Sequence, residues 1–87
     1  MNYFVVIPSK TLSNIIPCVI AVRQCEPGLA GHRIIIVDDA EGPEIAEFCI
    51  DSSIECVQGQ KPFVFSRAIN QGCRRAIELD PDVEGFV

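Results

Sequence analysis

The apolar residues of this chain fall into continuous runs and periodic ones. Tyr3 to Ile7 (YFVVI), bounded by Pro8, and His32 to Val37 (HRIIIV), bounded by Asp38 and Asp39, are continuous. Runs of this length suit strands buried on both faces, the pattern of a parallel sheet. Between them Leu12, Ile15, Ile16, Val19, Ile20 and Val22 recur at helical spacing, and Gly28 and Gly31 follow the end. Thr11 or Ser13 can cap this helix. The later start is preferred, because it puts Pro17 near the first turn, where its missing N–H costs little. Strand, helix and strand then form a β-α-β unit.

The second half of the chain continues the alternation. Gly42 to Asp51, with Ile45, Ala46, Phe48 and Cys49, reads as a short helix with Pro43 in its first turn, and Ile54 to Val57 as a third strand. Gln58 to Pro62 is a polar loop. Phe65 to Leu79 carries Phe65, Ala68, Ile69, Cys73, Ala76 and Ile77 on one helical face and stops at Asp80-Pro81. Gly85-Phe86-Val87 reads as a fourth strand cut short.

Composition narrows the classes without changing this pattern. The chain has 87 residues, 48% of them hydrophobic and 22% charged, which is too apolar for intrinsic disorder and leaves room for one domain. No apolar run approaches the roughly 20 residues a membrane span needs. The start has neither the basic flank nor the small-residue cleavage site of a signal peptide, so a cytoplasmic protein, or the cytoplasmic face of one, is expected. Twelve acidic residues against seven basic ones disfavour non-specific nucleic-acid binding, which depends on cations to neutralise phosphates. Charge is also segregated. Asp38 to Glu55 holds seven acids and no base, whereas Gly59 to Arg75 holds Lys61, Arg67, Arg74 and Arg75 and no acid.

Cys18, Cys25, Cys49, Cys56 and Cys73 are odd in number and widely spaced, with no C-x-x-C and a single histidine, His32. That signals neither a zinc site nor a disulfide framework, and each is expected to behave as a small buried hydrophobe. In open α/β sheets ligands bind outside the carboxyl ends of the strands. The residues to examine are therefore Pro8-Ser9-Lys10, Asp38-Asp39 and Gln58 to Phe63. No G-x-G-x-x-G and no G-x-x-x-x-G-K-[ST] follows the first strand, which demotes NAD dehydrogenases and P-loop kinases. What remains is a short polar segment and a carboxylate pair. A carboxylate there can accept the N–H of a pyrimidine base or a ribose hydroxyl, or else can simply form an acidic helix start.

FVVIPS near the start, IIIVDD, and then Phe65-x-x-Ala68-x-Asn70-x-Gly72-x-x-x-Ala76 together resemble the amino-terminal half of family 2 glycosyltransferases. The resemblance runs from about Tyr3 to Val87. It implies an α/β, Rossmann-like GT-A half, β-α-β-α-β-α-β, with a mainly parallel sheet of order 3-2-1-4, truncated at strand 4. It also implies binding of UDP or a UDP-sugar for transfer to an acceptor. Pro8 and Ser9, with Lys10 beside them, stand where the family's first-strand loop touches the base. Asp39 stands where the second acid of V-D-D accepts from uracil, with Asp38 bracing the loop. Arg67 lies two residues before the position where many members carry arginine and would approach the pyrophosphate. Gly72 and Asn70 read as structural and Phe65 as core. Mg or Mn is implied for the full-length enzyme, with its ligands beyond this chain, as is the catalytic half. No nucleic-acid partner is implied, and oligomerisation is left open.

Departures accompany the match. Ser9-Lys10-Thr11 replaces the family's Thr-Tyr-Asn, which removes an aromatic that would stack on the base. Ala40-Glu41-Gly42 follows Asp39 in place of Gly-Ser, and Ile69 replaces the common arginine. Asp80-Pro81-Asp82 matches the letters of the metal-binding D-x-D but precedes the fourth strand, and proline between the acids suits a turn. Two competing readings are a small receiver-like regulatory module, suggested by the acidic pair and Lys10, and an inactive truncated fragment.

Overall fold

The computed structural model describes residues 3–61, 64–83 and 85–86, and of His32 the backbone only. Pro62, Phe63 and Val87, part of the expected loop and fourth strand, lie outside the described residues. Four strands form one sheet of order β3-β2-β1-β4, all neighbours parallel, which is the α/β arrangement of order 3-2-1-4 expected. They are β1 (Tyr3–Ser9), β2 (Ile34–Asp38), β3 (Glu55–Gln58) and β4 (Gly85–Phe86). The helices are α1 (Leu12–Cys25), α2 (Glu44–Ser52) and α3 (Phe65–Leu79), with a 3-10 turn at Gly31–Arg33.

β2 is buried along its whole length because helices cover both faces of the sheet. Ile34 and Ile36 join Ile15 and Val19 of α1 and Ile45 and Cys49 of α2 in the larger core cluster. Ile35 turns to the opposite face with Phe4 and Ala76, under α3. Burying each of these large aliphatic side chains stabilises the fold by about 1.5–3 kcal/mol. α3 presents Ala68, Gly72 and Ala76 to the sheet, and a Cβ at Gly72 would overlap the Val6 side chain. Gly72 therefore permits close packing, the structural role that the resemblance implied.

Several expectations shift. α1 begins at Leu12, with Thr11 at the N-cap making no side-chain bond, so Pro17 lies inside the helix on its exposed side. The core contacts of Leu12 and Ile15 outweigh the proline's cost. β1 runs on through Pro8 to Ser9. The Asp39 N–H donates to the Ser9 carbonyl at 3.0 Å, so residues in phase with Ser9 address β2. Pro8 turns its missing donor the other way, where β4 pairs only with Tyr3 and Phe4. His32 belongs to the 3-10 turn, and β2 starts at Ile34. β3 is displaced by one residue, and α2 starts at Glu44 with Pro43 at its N-cap.

The apolar periodicity overstated burial at Ile16, Ile20, Phe65 and Ile77. Phe65 is 63% exposed at the start of α3 and is not core, because the small residues of that helix lie against the sheet instead. Ile16 and Ile20 of α1 are likewise exposed. Of the cysteines, all free, Cys49 is buried and Cys56 and Cys73 are half-buried, but Cys18 and Cys25 face solvent on α1. Burial pushes the Cys49 thiol up to about 12, with the neighbouring Cys56 adding to the shift.

Candidate functional site

The carboxyl ends of β1, β2 and β3 deliver three segments to one end of the sheet: Ser9-Lys10-Thr11, Asp38 to Glu41, and Gln58 to Lys61. Backbone hydrogen bonds lock them together. Besides the Asp39 N–H on the Ser9 carbonyl, the Gly59 N–H donates to the Asp38 carbonyl at 2.8 Å, and the Gln58 side-chain amide donates to the same oxygen at 3.2 Å. The Lys61 ammonium donates to the Asp39 carbonyl. Strand pairing thus continues beyond the sheet into the loops and fixes their spacing.

The two adjacent carboxylates have different surroundings although both are 2% exposed. Asp38 accepts the Ala40 N–H on Oδ1 at 2.9 Å, which ties the turn after β2 and is a bracing contact. Asp39 lies against Gly59, where any Cβ would overlap its carboxylate. Among the described residues its Oδ2 is buried with no hydrogen-bond partner. A buried acceptor left unmatched costs about 1–3 kcal/mol, so a ligand that brings a donor recovers much of that.

Asp39 forms part of the wall of an open cleft of about 440 Å³, with Lys10, Ala40, Glu41 and Lys61. Lys10 also borders a second hollow, of about 210 Å³, shared with Ser9, Thr11 and Asn14 at the start of α1. The Ser9 hydroxyl accepts the Thr11 N–H at 3.1 Å and holds this bend. The first cleft has the volume of an ordinary small-molecule site.

Of the residues singled out from sequence, Ser9, Lys10, Asp38 and Asp39 converge here. Pro8 is half-buried within β1 one residue back, and Arg67, half-buried in the first turn of α3, lines neither hollow. Gly59 and Lys61 fell within the Gln58 to Phe63 segment expected at the carboxyl end of the third strand, but neither was given a role of its own. The role of Gly59 depends on a side chain twenty positions away.

The D-x-D letters are used structurally. The Arg33 guanidinium donates to Asp80 Oδ2 at 2.6 Å, and the Asp82 N–H donates to Asp80 Oδ1 at 3.1 Å, closing a turn. Those two bonds, the Arg33 one foremost, hold the Asp80 carboxyl below its ordinary value. Among the described residues no three His, Cys, Asp or Glu side chains gather where they could hold a metal ion. Nor is any described helix long and apolar enough to cross a membrane.

Comparisons with protein-family models, with curated proteins and with solved structures each find no match to this chain.

Proposed function

We propose that the chain binds a nucleotide-diphosphate sugar, a UDP-sugar foremost, as the donor-binding part of a family 2 type glycosyltransferase. The observation that carries this reading is Asp39, which lines a cleft at the carboxyl end of the parallel sheet and whose buried Oδ2 has no hydrogen-bond partner among the described residues. It is an acceptor awaiting an N–H or O–H, and both a uracil ring and a ribose offer one. The three ordered sequence motifs support the same ligand, as does the sheet order they imply.

Transfer of the sugar requires neutralisation of the leaving diphosphate, which a divalent cation would supply, and a base for the acceptor hydroxyl. The described residues account for the donor side alone. The receiver-like alternative calls for sheet order 2-1-3-4-5, whereas here β2 lies between β1 and β3.

Titration of the chain with UDP by calorimetry tests the reading. Asp39→Asn keeps the shape and replaces a charged acceptor with an amide, and affinity should fall about tenfold, the worth of one charge-assisted hydrogen bond. An unchanged affinity in a variant that melts like the wild type would remove Asp39 from the site.

A further inference from the structure

α1 differs from the other two helices in what it shows to solvent. The exposed positions of α2 include Glu44, Glu47 and Asp51, and those of α3 include Arg74 and Glu78. Of the 14 residues of α1 only Arg23 is charged, and its guanidinium donates to the Ser52 carbonyl at 2.7 Å. Ile15 and Val19 alone are fully buried, so most of the helix surface is open and neutral. A helix apolar all round is ordinarily enclosed on every side. Here Ile16 and Ile20 are 37% and 51% exposed.

The exposed residues of α1 are also sorted by size. Side chains four positions apart on a helix line up as ridges, with grooves between them. Ile16, Ile20 and Gln24 make one such row, all long; Ser13, Pro17, Ala21 and Cys25 make the next, all short, and all seven are exposed. A ridge therefore stands beside a groove on one face. A two-fold axis along the rows places each ridge over the groove of a second copy and crosses the two helices at about 50°. Charge favours the same occupant. Two chains of net charge -5 repel, and on this face they meet without setting an acid against an acid. An anionic membrane, by contrast, finds no cation in either row.

We propose that this face of α1 is a homodimer interface, with Ile16 and Ile20 of each copy seated over Pro17 and Ala21 of the other. The proposal is independent of the nucleotide reading, since no residue of the larger cleft belongs to either row. One helix per copy offers less than the roughly 800 Å² per partner of a standard interface, so the dimer forms reversibly.

Sedimentation equilibrium of the 87-residue chain under reducing conditions tests the interface. The wild type should dimerise with a dissociation constant on the order of 100 μM. Raising the salt from about 20 to about 500 mM should tighten the dimer, because it screens the repulsion of two acidic chains and breaks no ion pair. Ile20→Glu sets like charges across the axis and should weaken the dimer at least about tenfold. Ala21→Leu separates shape from stickiness: it adds apolar surface but fills the groove, so it should weaken the dimer as well. Both changes lie at exposed positions, and the dilute variants should melt as the wild type does. Ile50→Ser, which removes the 78% exposed isoleucine of α2, should leave the dimer intact. A wild type still monomeric at about 1 mM, or an Ala21→Leu chain that associates more tightly than the wild type, would overturn the interface. So would a monomer that binds phosphatidylcholine vesicles and loses them on Ile20→Glu, which would make the face a membrane contact.

Discussion

Gly59 shows how little of a site can be visible in a single letter. Its φ is not positive, so no backbone strain demands glycine. The demand comes from Asp39, whose carboxylate occupies the space a Cβ would need. Gly59→Ala should displace that carboxylate and weaken UDP binding about tenfold, as Asp39→Asn does. It should also destabilise the fold by about 1–3 kcal/mol through overpacking. Calorimetry and urea denaturation separate the two effects, and full affinity in Gly59→Ala would show that Asp39 does not depend on the gap. Asp38 and Asp39 were both legible in the sequence because an acid pair ending an apolar run is a local pattern. Their division of labour was not, since the Ala40 N–H and the Gly59 Cα that distinguish them enter only with the folded loops.

At the scale of elements, continuous apolar runs identified the strands and the periodic ones the helices, with α3 assigned at Phe65–Leu79 as observed. The ends were less legible. α1 starts earlier than Pro17 suggests because tertiary contacts of Leu12 and Ile15 offset a local penalty. Pro17 therefore occupies a helical interior position that lacks one backbone donor, on an exposed face of α1. Pro17→Ala restores that donor at an interior position, where proline costs about 3 kcal/mol. The gain is reduced by the freer unfolded chain, worth about 0.4–1 kcal/mol. A net stabilisation of about 1–3 kcal/mol is expected, read as a higher urea midpoint with unchanged slope. A midpoint at or below the wild type would show that the chain has adapted to the proline. Phe65 was misread for the opposite reason: its place in the period was right, but Ala68, Gly72 and Ala76 bring α3 so close to the sheet that a large residue at its end is left outside.

At the scale of the whole molecule, one contact joins segments far apart in the chain and spans the sheet. Arg33, before β2, pairs with Asp80, after α3, and stacks its guanidinium over Phe4 at 4.8 Å from the ring centroid. The Asp80 carboxyl lies below its ordinary 3.8 in the folded state, chiefly through the Arg33 hydrogen bond. The stability it contributes is thus full above that ordinary value and is lost as pH falls through the lowered one. Asp80→Asn should melt below the wild type near neutral pH, and the difference should shrink as pH falls below the ordinary 3.8 of an aspartate. Parallel melting curves across that range would assign the pair no role in stability. The same contact explains why the letters D-x-D deceive: in a chain this short, a turn acid is as readily used for closure as for ligands.

The three segments that form the cleft are separated by about thirty and twenty residues of sequence, and each crossover between them contains a helix. Local structure cannot assemble them, so recognition appears only when both crossovers have closed. Any molecule held across Lys10, Asp39 and Lys61 consequently sees the native state and not the unfolded chain. Its binding adds RT ln(1 + c/Kd) to the free energy of folding, where c is its free concentration, so occupancy and integrity of the fold rise together.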